Sequence, residues 1–263
     1  FQRGGGDITG AIVARCLDAD LYENWTDVSG FLSADPRIVQ NPRAIGRITF
    51  DEMRELSYMG ASVLQEEAIF PVREANIPIQ IKNTNRPEDT GTVIRETADG
   101  DTNEHLITGI AGKKDFLAIH VKKAHMSNEV GVISRALNIV ERYGVSVEHI
   151  PTGVDSFGIV VNASDVKDTV YSIISDIRRE IEPDDITMVD RLALVSVVGR
   201  NMSRRSGTSG KIFGALGNAG VNIRMITQSS EEISIIVGVD NADFDRTIGV
   251  IYNGFVRDEM VSR

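Results

Sequence analysis

An internal repeat constrains the fold of this chain more than any other feature. The run GVSVEHI at 144–150 matches GVNIRMI at 220–226, at an offset of 76 residues. The same offset places Gly131 on Gly207, and it holds without a gap at several other positions. A constant offset that runs through strand, helix and strand patterns indicates two copies of one supersecondary unit.

Each copy has the pattern strand, helix, two strands and a second helix. This split β-α-β order is that of a ferredoxin-like α+β fold, with helices on one face of the sheet. The first repeat is predicted from strands at 117–121, 145–150, 156–161 and 186–189 and helices at 130–143 and 166–180. The second is predicted from strands at 194–198, 221–226 and 233–239 and helices at 211–218 and 244–252.

Residues 1–95 have a different organisation, in which strand and helix patterns alternate. Such alternation predicts an α/β fold with a mainly parallel sheet. Strands are predicted at 22–28 and 77–82, and helices at 54–63, with Asp51 as N-cap, and at 66–75. The predicted domains are therefore 1–95, a linker and leading strand at 96–112, and the two repeats at 113–190 and 191–263.

The glycine run Gly4–Gly6, followed by Asp7 and an apolar-periodic stretch, predicts a loop that enters a helix. Glycine allows the backbone to approach a bulky anion closely, and a helix start offers unpaired N–H groups to it. Asp7 would hold a metal, orient a lysine or cap its own helix. Because the chain begins inside such an element, we expect it to be cut from a longer one.

Thr26 and Asp27 are expected at the carboxyl end of the first predicted strand. Ligands of open α/β sheets bind at that edge, so these side chains would meet a ribose or an adenine edge. An ordinary turn is the alternative. Arg37 suits a polyphosphate because its guanidinium matches phosphate oxygens, and an ion pair with Asp35 is the alternative.

The turn at 126–131 leads from a strand into a helix, and its N–H groups would take a carboxylate. Ser146 and Glu148 have the same-face spacing of a strand, and Glu148 would receive an ammonium group. Solvated edge residues are the alternative. Arg224, which occupies the position of Glu148 in the second repeat, would repel an ammonium.

Composition excludes several classes of function. The net charge of -10 and the pI near 5.0 argue against nucleic acid or an anionic membrane as partner. The single cysteine, Cys16, excludes a disulfide framework and is predicted to be a buried thiol. No histidine spacing suggests a metal site, and no stretch is long and apolar enough for a membrane span. We predict a cytoplasmic protein.

Four segments in order, RGGGDIT (3–9), WTDVSG (25–30), ADPRIV (34–39) and YMGASVL (58–64), resemble aspartate kinase. The likeness continues through NIPI (76–79) and Gly91-Thr92, and the tandem repeat resembles the paired ACT domains of that family. Together these segments extend over essentially the whole chain. The series is far more specific than a single glycine loop.

The resemblance implies ATP-dependent phosphorylation of the β-carboxylate of L-aspartate, with Mg²⁺, in an amino-acid-kinase fold. It also implies feedback control by lysine or threonine bound at the first repeat and a homodimer formed through the ACT domains. It implies three groups of site residues. Arg3 and Gly6 would bind aspartate, with Arg3 and Asp7 serving catalysis. Nucleotide would be bound by Thr26, Asp27, Gly30, Arg37, Ser62 and Val63. Effector would be bound by Met126, Glu129, Val130, Gly131, Ser146, Glu148 and Thr152.

The sequence departs from the family pattern at three places. Gly6 stands where a substrate-contacting serine is usual, and Ser62 stands where a nucleotide-contacting lysine is usual. Gln65-Glu66 replaces the usual His-Pro. The loss of that lysine supports a second hypothesis, a non-catalytic amino-acid-sensing module with a kinase remnant. We expect Mg-ATP to bind if the protein is a kinase and not to bind if it is a sensing module. Another amino-acid kinase, such as glutamate 5-kinase, does not suit the tandem repeat.

We predict that chain 1–263 alone is inactive, because the resemblance implies further kinase residues upstream of Phe1. Purified chain mixed with ATP, magnesium and aspartate should form no aspartyl phosphate. Measurable turnover would refute this.

Overall fold

The computed structural model describes residues 5–61, 63–64, 69–97, 105–202, 205–228 and 232–257. The chain divides into two compact units. Unit 1 comprises Phe1–Gly112, Val195–Val237 and Asp243–Arg263, and unit 2 comprises Lys113–Leu194 and Gly238–Ala242. None of the helices built from the described residues combines the length and apolar composition that a bilayer crossing requires.

The N-terminal part of unit 1 is a four-stranded sheet with helices. Strands β1 and β3 pair in parallel, β4 and β2 pair in parallel, and β3 and β4 are antiparallel, in the order β1-β3-β4-β2. In β3 the buried residues alternate, because one face of the strand packs in the core. The elements are α1 (Gly5–Cys16), β1 (Tyr22–Thr26), β2 (Arg47–Thr49), α2 (Phe50–Tyr58), α3 (Ile69–Glu74), β3 (Ile79–Asn83) and β4 (Thr92–Arg95).

Unit 2 contains the body of the first repeat. Its apolar residues from sheet and helices form one buried cluster. The sheet has the order β6-β7-β5-β8, and β7 is antiparallel to both β5 and β6. The elements are β5 (Gly109–Lys122), a 3₁₀ turn (Met126–Asn128), α4 (Val132–Arg142), β6 (Val147–His149), β7 (Ser156–Asn162), α5 (Val170–Ile181) and β8 (Asp185–Val198).

The second repeat begins at the carboxyl end of β8, which lies in unit 1. There β10 lies between β8 and β9 in the sheet. The remaining elements are α6 (Thr208–Asn218), β9 (Met225–Gln228), β10 (Ser234–Asp240), α7 (Phe244–Ile251) and a π-helical turn (Tyr252–Arg257). The predicted fold class, an α/β portion followed by two ferredoxin-like repeats, is confirmed. Strands β5 and β8 run across the predicted domain boundaries, which stay a prediction.

The predicted N-cap of α2 is wrong. Thr49, not Asp51, caps the helix: its hydroxyl accepts the N–H of Glu52, and Glu52 in turn accepts the N–H of Thr49. This reciprocal pair is a capping box, which satisfies two orphan donors at once. Asp51 lies in the first turn instead and forms an ion pair with Arg73.

The predicted burial of Cys16 is also wrong. Its side chain is exposed at the end of α1. The face of α1 that is buried consists of Ala11 and Ala14. The apolar periodicity of this helix therefore does not identify the side that packs.

The Glu52 carboxylate joins three separate parts of unit 1. The side chain is 1% exposed. One oxygen, Oε1, accepts from the Thr108 hydroxyl at 2.6 Å and from the Arg200 N–H at 3.0 Å. The other, Oε2, accepts from the Thr49 N–H at 3.0 Å and from the Arg200 guanidinium at 2.8 Å. Burial alone would raise the pKa of Glu52, but the hydrogen bonds from Thr108 and Thr49 and the charge of Arg200 outweigh it and lower the pKa.

We predict that Glu52→Gln lowers the free energy of unfolding by about 3 kcal/mol at pH 7, because it removes the charge that faces Arg200 in the interior. The depressed pKa contributes stability that is present above the unfolded value of about 4.3 and is lost as the pH falls through the folded value. The difference between wild type and variant should therefore shrink below that pH. Chemical denaturation measures both effects.

Glu55→Gln, on the same helix, is the matched control and should change stability by no more than about 0.5 kcal/mol. Equal stability of wild type and Glu52→Gln at pH 7 would contradict the assigned role.

Candidate functional site

Unit 1 contains a cavity of about 800 Å³ at the carboxyl end of β1. This volume is within the range of small-molecule sites. Because the cavity lies where β1 ends, it is at the edge of the sheet where ligands of open α/β folds bind. Its walls come from residues 27–32, 34–38, 59–61, 63, 86, 89–91 and 110–112, together with Ala44, Phe244 and Ile248.

A polar cluster forms one side of the cavity, where β1 and β3 end next to each other. The Ser29 hydroxyl donates to the Asp89 carboxylate at 2.5 Å and accepts from the Asn83 amide at 2.8 Å. It also accepts from the Arg86 guanidinium at 3.1 Å, and Arg86 forms an ion pair with Asp89 at 3.4 Å. A cation and a carboxylate are thereby fixed at the edge of the cavity. Sequence reasoning missed Arg86 and Asp89, although a charged loop directly after β3 is visible in the sequence.

Gly30 turns the chain away from β1 and into the cavity wall. It has φ +99°, and a Cβ at this position would lie 2.2 Å from the Thr92 hydroxyl. That hydroxyl cannot move away, because it accepts the Phe31 N–H at 2.8 Å and donates to the Ile45 carbonyl at 2.6 Å. The close approach of two backbone segments therefore requires glycine here.

Arg37 lines the cavity and is bound to Asp35. Its backbone N–H and its Nε donate to Asp35 Oδ1 at 2.8 and 3.0 Å, and its Nη2 reaches Oδ2 at 2.6 Å. The hydrogen bonds from Arg37 hold the pKa of Asp35 below its usual value. The Arg37 side chain is nonetheless 87% exposed and remains accessible to a ligand. The structure thus contains the ion pair that the sequence left as the alternative.

Of the other predicted nucleotide-binding residues, some line the cavity and others do not. Asp27, Gly30 and Val63 line the cavity, as Arg37 does. Thr26 ends β1, and its carbonyl accepts the N–H and the hydroxyl of Thr84 at 2.8 and 2.9 Å. Ser62 lies outside the described residues.

Two of the predicted catalytic and substrate residues, Gly6 and Asp7, lie in α1, beside β1. Asp7 Oδ1 accepts from the Asn24 amide at 3.0 Å, and the Asp7 carbonyl accepts from the Tyr22 hydroxyl at 3.1 Å. Burial raises the pKa of Tyr22. Gly6 is exposed in the first turn of α1, with open space where a Cβ would be. Asp7 and Gly6 are not among the residues that line the cavity. Arg3 lies outside the described residues.

In unit 2 the turn before α4 is built around Glu129. Its carboxylate pairs with Lys123 at 3.2 Å and with Arg135, and the hydrogen bond from Lys123 is the main cause of its lowered pKa. Met126 is buried beneath the turn, whereas Val130 is 93% exposed. Gly131 has φ +83° and lies at the N-cap of α4, without a side-chain cap.

The predicted partners of this turn lie on and beside β6. Glu148 is in the strand at a β-bulge between Val147 and His149, and Ser146 precedes the strand. The extra residue of a bulge interrupts the alternation of side chains, so the simple same-face spacing does not extend through it. Thr152 forms an isolated bridge to Phe157.

His149 adds a feature that sequence reasoning did not single out as functional. Its buried Nε2 has no hydrogen-bond partner, and burial lowers the pKa of the ring. The ring is therefore favoured in its neutral form.

Within the ranges that the structure describes, no three His, Cys, Asp or Glu side chains are grouped closely enough to hold a metal ion. Mg²⁺ commonly uses only one or two carboxylates and is otherwise bound by substrate phosphates and water.

Two family models match separate parts of the chain. The amino acid kinase family matches residues 1–83, and an ACT domain matches residues 195–255. The first match includes β1, α2 and most of the cavity wall. The second includes α6, β9, β10 and α7.

Known proteins match the chain over nearly its whole length. Aspartokinase 3 of Bacillus subtilis is 40% identical over 263 residues, and the chain spans 58% of its length. The structure of Clostridium acetobutylicum aspartate kinase is similar over 97% of this chain and 59% of its own, with a TM-score of 0.93 and 52% identity. The chain therefore spans less than two thirds of either protein.

E. coli aspartokinase III is similar in two solved complexes. One holds aspartate and ADP and is described as the R-state, and the other holds lysine and aspartate and is described as the T-state. Both are 25% identical over 96% of this chain and 56% of the solved chain, with TM-scores of 0.78 and 0.79.

We predict that Gly30→Ala lowers the free energy of unfolding by more than about 3 kcal/mol, because left-handed strain and a clash with Thr92 add together. Gly131→Ala is the matched control. Gly131 has a φ of +83°, and a Cβ there would make only an ordinary contact with the Arg135 guanidinium at 3.8 Å, so this change should cost only about 1–2 kcal/mol. Denaturant unfolding measures both variants, and equal losses would contradict the argument for close approach.

Proposed function

Since the chain belongs to the aspartokinase family and is part of such an enzyme, we propose that the protein phosphorylates the β-carboxylate of L-aspartate with ATP. The observation that carries this proposal is the cavity at the carboxyl end of β1, with Asp27, Gly30 and Arg37 in its walls. The E. coli relative solved with aspartate and ADP supports the choice of substrates.

We propose that ATP occupies the cavity of unit 1. The exposed Arg37 guanidinium is available to phosphate oxygens, and Arg86 supplies a second cation at the polar side. Thr26 and Asp27, at the end of β1, would contact the ribose or the base. Ser62 and Val63 follow α2 and belong to the same proposed site.

Aspartate is proposed to bind at the start of α1, through Arg3 and the backbone at Gly6. The Asn24 amide orients the Asp7 carboxylate there. Asp7 would be positioned beside the transferring phosphoryl group. Phosphoryl transfer depends mostly on positioning and charge stabilisation, so these groups need not form a covalent intermediate. Mg²⁺ would enter with the ATP phosphates and neutralise part of their charge.

We propose that the first repeat binds a regulatory amino acid. Its carboxylate would bind at the turn formed by Met126, Glu129, Val130 and Gly131, and its ammonium would bind at Glu148, near Ser146 and Thr152. The E. coli relative solved with lysine supports lysine over threonine as effector. In the second repeat Arg224 replaces the acid, which favours a single type of effector site.

A homodimer formed through the ACT domains remains part of this proposal. So do the domain boundaries 1–95, 96–112, 113–190 and 191–263. The inactivity of chain 1–263 alone and the cytoplasmic location stay predictions.

The test uses the full-length protein. Release of ADP should require L-aspartate, and lysine should inhibit it. We expect Glu148→Gln to weaken inhibition at least about tenfold, because a charged hydrogen bond to the effector is lost. Uninhibited activity should stay unchanged. A coupled ADP assay with a lysine titration measures both quantities.

Glu141→Gln, on the exposed face of α4, is the matched control and should leave inhibition unchanged. Full-length protein that binds lysine but forms no ADP would contradict the kinase proposal and favour the sensing module.

A further inference from the structure

One face of α7 carries a stripe of large residues four positions apart: Phe244, Ile248 and, just past the helix, Tyr252. All three are buried. A spacing of four places side chains on the same face of a helix. Phe244 and Ile248 line the cavity of unit 1.

The cavity is therefore built from two parts of the chain that match different families. Residues 27–63 lie within the match to the amino acid kinase family, and α7 lies within the match to the ACT domain. Both parts belong to unit 1. An ACT segment thus forms part of the wall of the site that we assign to the nucleotide.

Tyr252, the last residue of this stripe, is connected by hydrogen bonds to the segment 32–34 of the cavity wall. The Tyr252 hydroxyl accepts the Arg43 N–H at 3.0 Å. The Arg43 carbonyl in turn accepts the N–H and the hydroxyl of Ser33 at 2.8 and 2.9 Å. Ser33 lies between Leu32 and Ala34, which both line the cavity. A shift of α7 would therefore move the wall and pull on this segment together.

The cavity wall carries both polar and apolar groups. Ser29, Arg86 and Asp89 form a polar cluster in it, whereas Phe244, Ile248 and Ile110 are apolar lining residues. A nucleotide offers surfaces of both kinds, since the faces of its base are apolar and its ribose and phosphates are polar. Apolar side chains favour burial of the base, and polar groups fix its orientation.

We propose that Phe244 and Ile248 are nucleotide-contacting residues, which form the base-binding wall of the ATP site and link that site to the second repeat. This inference rests on the proposed function. Because binding linkage is reciprocal, a ligand of the second repeat that changes ATP affinity would have its own affinity changed by ATP by the same factor.

The test compares Ile248→Ala with Ile251→Ala in the full-length enzyme. Both residues lie on α7 and are 1% and 0% exposed, but only Ile248 lines the cavity. We expect Ile248→Ala to raise the Kd and KM for Mg-ATP about threefold to tenfold, from the loss of apolar contact with the base. The KM for aspartate should not change. Ile251→Ala should leave the Kd for Mg-ATP within about twofold of wild type, although its Tm falls as well.

Calorimetry with Mg-ATP and steady-state kinetics supply the readouts. If either alanine variant does not fold, Ile248→Val and Ile251→Val replace the pair. We again expect the Kd for Mg-ATP to rise more in the Ile248 variant than in the Ile251 variant. Unchanged ATP affinity in the Ile248 variant, or equal losses in both variants, overturns this inference alone. Wild-type enzyme that binds no ATP overturns the proposed function as well.

Discussion

The ion pair between Glu52 and Arg200 is the interaction on which unit 1 depends. A charge in the interior costs several kcal/mol unless hydrogen bonds and an opposite charge compensate it. Here the Thr49 cap, the Thr108 hydroxyl and Arg200 supply that compensation. The carboxylate therefore fixes the start of α2, the segment before β5 and the turn after β8 in one arrangement.

This arrangement sets the shape of the cavity. Met59 and Gly60 follow α2 directly and line the cavity, and Ile110 lies two residues after Thr108 and lines it too. In another part of the wall the buried Thr92 hydroxyl holds the chain at Phe31. The cavity therefore owes its walls to a few buried polar contacts as well as to apolar packing. Such contacts have strict geometry, so they specify a single structure more sharply than apolar packing alone.

The sequence predicted well those features that depend on residues close together in the chain. The alternating burial of β3 was visible as a pattern, and the constant offset located the strands and helices of both repeats to within a few residues for most elements. The helix start at Thr49 is also visible in the sequence, since Thr-x-x-Glu marks a capping box. The prediction of Asp51 as N-cap overlooks this pattern. For Cys16, periodicity identified an apolar face but not the side on which another element packs.

The long-range contacts were beyond sequence reasoning. Glu52, Thr108 and Arg200 are far apart in the chain, and no local pattern indicates that they meet. The same is true of the stripe on α7, which reads as an ordinary amphipathic helix until the structure places Ile248 in the cavity. Motifs located Asp27, Gly30 and Arg37, whereas the polar cluster at Arg86 required knowledge that β1 and β3 are parallel neighbours.

The exposed thiol of Cys16 has a practical consequence. This stretch of 263 residues contains one cysteine, so a maleimide dye would attach within it at a single place. The attachment point is the last residue of α1, the helix whose first turn holds Asp7. Fluorescence from that position would report on α1 without any engineered mutation in this part of the protein.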